Sequence, residues 1–201
     1  MEIEELERRA KLTNEMCGGI QPMHKPFYTL SVKYSADRCL KAFSAYDDLL
    51  AGGASAEELI SSVQEAIGHA AALSRYFWPT SMGKKKEAKE QIAMRQARGE
   101  ALREIYGVSN NSCLTDRDMR NAWEHFDEKL DVFVLSHDAG CFFPMPMLGE
   151  HTLADDPVGK IFKLIDPENE CLVLLGKKFF FSLYGKKLKE YLIGKVQRPR
   201  L

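Results

Sequence analysis

Within the stretch Arg120-Asn121-Ala122-Trp123-Glu124-His125-Phe126-Asp127-Glu128 stand the side chains of this chain best suited to chemistry. Histidine titrates near neutral pH, so His125 can take a proton from an attacking hydroxyl or return one to a leaving oxygen. A guanidinium is planar and permanently charged, which suits Arg120 to the charge that builds on non-bridging phosphate oxygens. Asn121, one helical turn before His125, can orient the ring or hold a phosphate oxygen. This is equipment for cutting a phosphodiester by 2′-hydroxyl attack. A single histidine supplies half of an acid–base pair, and a two-fold dimer would supply the other half. Glu124, Asp127 and Glu128 bring negative charge to the same stretch, which an RNA backbone tolerates only if arginines offset it. Arg75, Arg117 and Trp78 are therefore the candidate substrate-binding residues, Arg75 and Trp78 lining a groove over Arg120.

The elements that must position these groups read as helices. A first runs from Thr29 to about Leu50, with Leu30, Tyr34, Leu40, Phe43 and Leu50 as its apolar stripe, and Gly52-Gly53 stops it. Ser55-Ala56-Glu57-Glu58 then has the pattern of a capping box. Leu59, Val63, Ala66, Ile67, Ala70, Leu73 and Phe77 follow on one face, and Pro79 ends the helix. A third is expected over about Lys84–Tyr106, with Gly107 as its C-cap. The fourth starts at Thr115 and buries Met119, Trp123, Phe126, Leu130 and Phe133. On that wheel Asn121, His125, Glu128 and Val132 point away from the core, and Arg120 stands at its edge. Ile3–Met16 adds a helix at the N-terminus.

Beyond residue 136 the pattern changes. Gly140, Pro144, Pro146, Gly149 and Pro157 make residues 137–159 read as an irregular connection. Ile161–Ile165 and Cys171–Leu175 flank Asp166-Pro167-Glu168-Asn169, which predicts a β-hairpin, and Lys186–Ile193 suits a short terminal helix. The expected fold is thus mainly α: a single domain over residues 1–201, with an antiparallel four-helix bundle in about 1–136. The extra N-terminal helix joins that bundle, and a hairpin-and-helix appendage occupies 160–201.

Arg120-Asn-x-x-x-His125 resembles the Arg-x4–6-His signature of the HEPN superfamily, which carries a polar residue directly after the arginine. Glu124-His-Phe-Asp-Glu128 is similar to one branch of it, as is His69-Ala-Ala-Ala-Leu-Ser-Arg-Tyr-Phe-Trp-Pro79 on the second helix. The resemblance covers Glu58–Asp131 and, more loosely, the Asp166-Pro167-Glu168 turn. It implies a helical bundle that dimerises and brings two Arg/His pairs together. It also implies one of two functions. The first is a metal-independent endoribonuclease of a toxin–antitoxin or defence system, with Arg120, Asn121 and His125 as its catalytic residues. The second is a catalytically silent module that binds RNA or a protein, such as an antitoxin. Where the best-known toxin branch has a modifiable tyrosine two residues after the histidine, this chain has Asp127.

Composition narrows the remaining classes. At 201 residues, 45% hydrophobic and 28% charged, the chain has globular usage and length enough for a core without staples. No apolar run approaches the length of a membrane span, and the acidic start Met1-Glu2-Ile3-Glu4-Glu5 lacks a secretion pattern, so a cytoplasmic protein is expected. Cys17, Cys39, Cys113, Cys141 and Cys171 are odd in number and scattered, which argues for reduced thiols and against a structural metal; no cofactor is called for. Residues 160–201 hold ten Lys/Arg against four acids, a net +6 that leaves −7 elsewhere. A basic tail on an acidic body suits a polyanion such as RNA. Val132 beside Asn121 and His125 on the outer face of the fourth helix suits a partly wet two-fold contact there.

Overall fold

The computed structural model describes residues 2–83 and 87–182. Lys84-Lys85-Lys86 and the terminal helix expected over Lys186–Ile193 lie outside the described residues. The chain is mainly helical, with a smaller β region after residue 140. The helices are α1 Ile3–Cys17, α2 Lys25–Ala51, α3 Ala56–Phe77, α4 Lys89–Tyr106, α5 Asp118–Glu124 and α6 Phe126–Leu135. The strands are β1 Cys141–Phe143, β2 Met147–Leu148, β3 Gly159–Ile161, β4 Lys163–Asp166, β5 Cys171–Leu174 and β6 Lys177–Phe180. The described residues divide into two compact units, 2–37 with 70–83 and 87–115, and 38–69 with 116–182; α2 and α3 run through both.

Helix α3 starts where its cap predicts. The Glu58 carboxylate accepts from the Ser55 N–H at 2.9 Å, and Ser55 Oγ accepts from the Glu58 N–H at 3.4 Å. All seven residues expected on its inner face, from Leu59 to Phe77, are buried. The phase of α2 differs from the expected stripe. Its buried residues are Val32, Ser35, Ala36, Cys39, Ala42, Phe43 and Tyr46, while Leu30 and Tyr34 are exposed. Small side chains hold much of the inner face, beside Phe43 and Tyr46, where the helices approach closely. Cys39 Sγ donates to the Ala66 carbonyl at 3.2 Å, and Ser62 Oγ donates to the Ala42 carbonyl at 2.8 Å.

In the first unit α1 packs along α4. Gly19, in the left-handed region at φ 86°, lets the chain leave α1 against the α4 backbone. Helix α4 begins at Lys89 rather than Lys84, where the Gln91 side chain accepts from the Ala88 N–H at 3.1 Å. It closes at Gly107 in the left-handed conformation, as expected. The end of α3 is tied down by Ser74 Oγ donating to the Leu114 carbonyl at 2.6 Å, by Arg103 donating to the Phe77 carbonyl, and by an edge-on Phe77–Tyr106 contact at 5.8 Å.

The second unit corrects two expectations. First, the hairpin is part of a sheet ordered β2-β4-β5-β6, with β2 parallel to β4 and the other pairs antiparallel, and β1 and β3 form a separate parallel pair. Residues 137–159 are therefore not wholly irregular. The prolines that suggested a loop lie just outside two very short strands, where a missing N–H costs no ladder bond. The hairpin is not a surface appendage either: Leu164, Ile165, Leu172 and Val173 have no exposed surface. A sheet covered on both faces carries continuous apolar runs rather than alternation. Phe181 stacks on Phe43 at 6.4 Å and meets Tyr46 edge-on at 5.5 Å. The β5–β6 turn has positive φ at both Leu175 (50°) and Gly176 (76°), the twist a two-residue hairpin favours.

Second, the expected fourth helix is two helices. His125, at φ −117° and ψ 34°, leaves helical geometry and separates α5 from α6, although its N–H still bonds the Asn121 carbonyl at 3.2 Å. Trp123 and Phe126, on either side of the break, lie 6.0 Å apart and both beneath Lys163 Nζ of β4, at 5.2 and 4.7 Å.

The contact of Gly19 with α4 makes a paired prediction. A Cβ at Gly19 would lie 2.4 Å from the Arg98 nitrogen and 2.6 Å from the Met94 oxygen, whereas one at Gly18, also at positive φ, meets nothing within 4 Å. In urea denaturation Gly18→Ala should cost about 1 kcal/mol for its backbone alone. Gly19→Ala should cost about 2–4 kcal/mol, because two backbones must separate.

Candidate functional site

The sequence-derived site residues fall in both units. Arg75, in the last turn of α3, and Trp78, just beyond it, belong to the first unit. There the Arg75 carbonyl accepts from Arg98 at 3.3 Å, and the Arg103 guanidinium lies 5.7 Å over the Trp78 ring. Arg117, Arg120, Asn121 and His125 belong to the second. Arg117 is at the N-cap of α5, Arg120 and Asn121 are on α5, and His125 is the hinge residue between α5 and α6.

Local helix spacing sets the partners of the two ionisable groups. Arg120 Nη2 meets Glu124 Oε2 at 2.9 Å, one turn along, and the arginine is largely covered. His125 Nδ1 lies 3.5 Å from Glu128 Oε2, and its side chain is 52% exposed. The arginine and the histidine thus each face a carboxylate of their own segment. The Arg120 Nε and the Trp123 indole N–H are buried without an acceptor among the described residues. Over residues 118–135 there are five carboxylates and two cations, a net −3. The outward side of α6 carries Val132 and Leu135, 66% and 80% exposed. Next to them opens a cleft of about 250 Å³ lined by Ala122, Val132, Phe133, Leu174 and Phe179, together with Lys129 and Lys177.

A second polar constellation escaped the sequence. Asp166, at the end of β4, is 2% exposed and accepts four hydrogen bonds. Three reach Oδ2: the His151 N–H at 2.9 Å, His151 Nδ1 at 2.7 Å and Asn169 Nδ2 at 2.9 Å. The fourth is the Asn169 N–H on Oδ1 at 3.1 Å. The carboxylate requires a proton on His151 Nδ1, and the ring sits edge-on to Phe180 at 5.3 Å. Burial pushes the Asp166 carboxyl upward, but the His151 and Asn169 donors outweigh it and hold the group far below the usual carboxylate range. Asp166-Pro-Glu-Asn169 is a legible turn, but nothing local in the sequence points from it to His151. The other histidine of this region, His137, bonds the Phe133 carbonyl through Nδ1 at 2.7 Å and so closes α6.

Among the described residues no group of three or more His, Cys, Asp or Glu is placed to hold a metal ion, and no helix is long and apolar enough to cross a membrane. Of the cysteines, Cys39 and Cys171 are buried and Cys141 is exposed. The chain matches no protein-family model, no curated protein and no solved structure.

The depressed Asp166 carboxyl gives a pH dependence with a definite sign. An unfolded aspartate titrates near 3.9, so the stabilisation is complete above that value and is lost as pH falls below about 4. Asp166→Asn should cost about 1–3 kcal/mol at pH 7, since the His151 and Asn169 donors lose a charged acceptor. It should also flatten the fall in stability between about pH 5 and 2, read by denaturant titration of wild type and variant.

Proposed function

We propose that this chain is a HEPN-like interaction module of the cytoplasm that binds a protein partner through the α5–α6 face and does not cut RNA. The reading rests on one observation above all, that Arg120 and His125 face the carboxylates of Glu124 and Glu128. A phosphodiester entering there would displace the Glu124 pairing and meet a net negative surface. The same features suit a basic protein segment. The carboxylates attract it, and the apolar cleft beside Val132 and Phe133 accepts one of its larger side chains as an anchor.

A second reading, the metal-independent endoribonuclease, is favoured by the unfilled Arg120 Nε donor and by the half-exposed ring of His125 at the helix break. In that case a homodimer brings the second His125, His125 moves the protons and Arg120 carries the phosphate charge.

Incubating the full chain with mixed RNA in EDTA separates the two. The module reading expects intact RNA with wild type and with His125→Ala alike. It also expects a Lys/Arg-rich amphipathic peptide to bind at low salt, several-fold more weakly after Glu124→Gln with Glu128→Gln. Cleavage by wild type that is lost in His125→Ala replaces the module with the nuclease.

A further inference from the structure

Two residues of the expected inner stripe of α2, Leu30 and Tyr34, belong instead to an exposed apolar row. Met23, in the 3₁₀ turn Pro22–His24, and Phe27, Leu30 and Tyr34 on α2 are 74%, 69%, 65% and 63% exposed. They recur at intervals of four, three and four residues, the spacing of the buried seam between two supercoiled helices. The opposite side of the same turns is already filled, by Val32, Ser35 and Ala36, all buried. Three large apolar side chains in a line on one face of α2, continued by Met23 in the turn before it, are more than scattered surface hydrophobicity explains.

We propose that this stripe is a self-association seam, pairing with the same stripe of a second copy in antiparallel, two-fold fashion. Area is the first argument. Large side chains present about 150–250 Å² each, so four at two-thirds exposure offer on the order of 500 Å². Two copies would bury about 1,000 Å², which reaches the lower bound for a specific interface. A shorter or interrupted stripe would not.

Charge is the second argument, and it selects the direction. With a dyad crossing α2 between Tyr28 and Thr29, Met23 faces the partner's Tyr34 and Phe27 faces the partner's Leu30. A thioether on an aromatic ring and a ring on a branched aliphatic are both favourable pairings. The positions flanking the seam then set Lys33 toward the partner's Pro26 and His24 toward the partner's Ser31, with no like charges opposed. Lys33 also keeps its own pairing with Asp37 at 2.7 Å. A parallel pairing would instead bring Lys33 against the partner's Arg38. The seam uses none of the residues assigned to the α5–α6 face, so it stands apart from the reading of Arg120 and His125.

Sedimentation of the full chain over a concentration series tests the proposal. Wild type should dimerise reversibly. Phe27→Lys and Leu30→Asp, each made at an exposed position, should weaken dimerisation at least about 30-fold, while circular dichroism and melting, taken at concentrations where wild type is monomeric, stay at wild-type values. An equimolar mixture of the two should dimerise again, because antiparallel pairing sets each new lysine against a new aspartate. Val132→Asp should leave dimerisation unchanged. A wild type that is monomeric up to about 1 mM overturns the seam. So does a dimer that survives both stripe variants or separates with Val132→Asp, and failure of the mixture to pair overturns the antiparallel arrangement.

Discussion

One buried carboxylate organises the second unit. Asp166 has almost no contact with solvent, so each of its lone pairs must be met from within the protein, and four donors from two segments meet them. The Asn169 bonds close the β4–β5 turn, and that turn sets the register in which Asp166 faces Cys171 and Leu164 faces Val173. The His151 bonds bring the segment after β2 back to the end of β4. With that register in place, Lys163 at the other end of β4 lies over Trp123 and Phe126, where α5 gives way to α6. A one-residue slip would turn the apolar runs of β4 and β5 over and remove that cation from the rings.

The Arg120–His125 stretch depends on a different kind of contact, short in sequence and modest in strength. Its glutamates sit three or four residues from the arginine and the histidine they face, a spacing any helix supplies. Such pairs contribute little to stability when exposed. Their importance here is occupancy: a guanidinium engaged at 2.9 Å by Glu124 is not free to clamp a phosphate without first losing that partner. The balance between a binding face and a nuclease site therefore turns on local electrostatics rather than on fold.

The first unit is built on close approach. Gly19 against the α4 backbone uses the absence of a Cβ to bring chain segments nearer than larger residues permit. In the second unit Cys39 and Ser62 serve the α2–α3 contact in the same way, with side chains small enough to bond the facing helix's carbonyls. The N-terminal half of α2 buries Val32, Ser35 and Ala36, so Leu30 and Tyr34, expected on the inner stripe, are left outside, while Phe43 of the same expected stripe is buried.

What the sequence determined by itself was local. Helix α3 was legible from Ser55 to Phe77, since a capping box and seven apolar residues at helical spacing involve only neighbours along the chain. The C-cap at Gly107 and the β4–β5 turn were legible for the same reason. The Arg120–His125 pattern was visible as a motif, with its acidic neighbours. Tertiary structure decided the rest. The helix break at His125 has no proline or glycine to announce it and coincides with two rings beneath a lysine almost forty residues away. Strands β1 and β2 exist only because β3 and β4 supply their hydrogen bonds. The His151–Asp166 contact joins residues with no shared pattern. Periodicity and caps are properties of adjacent residues, whereas the phase of a buried face, the partner of a short strand and the donors of a buried carboxylate are properties of what packs against them.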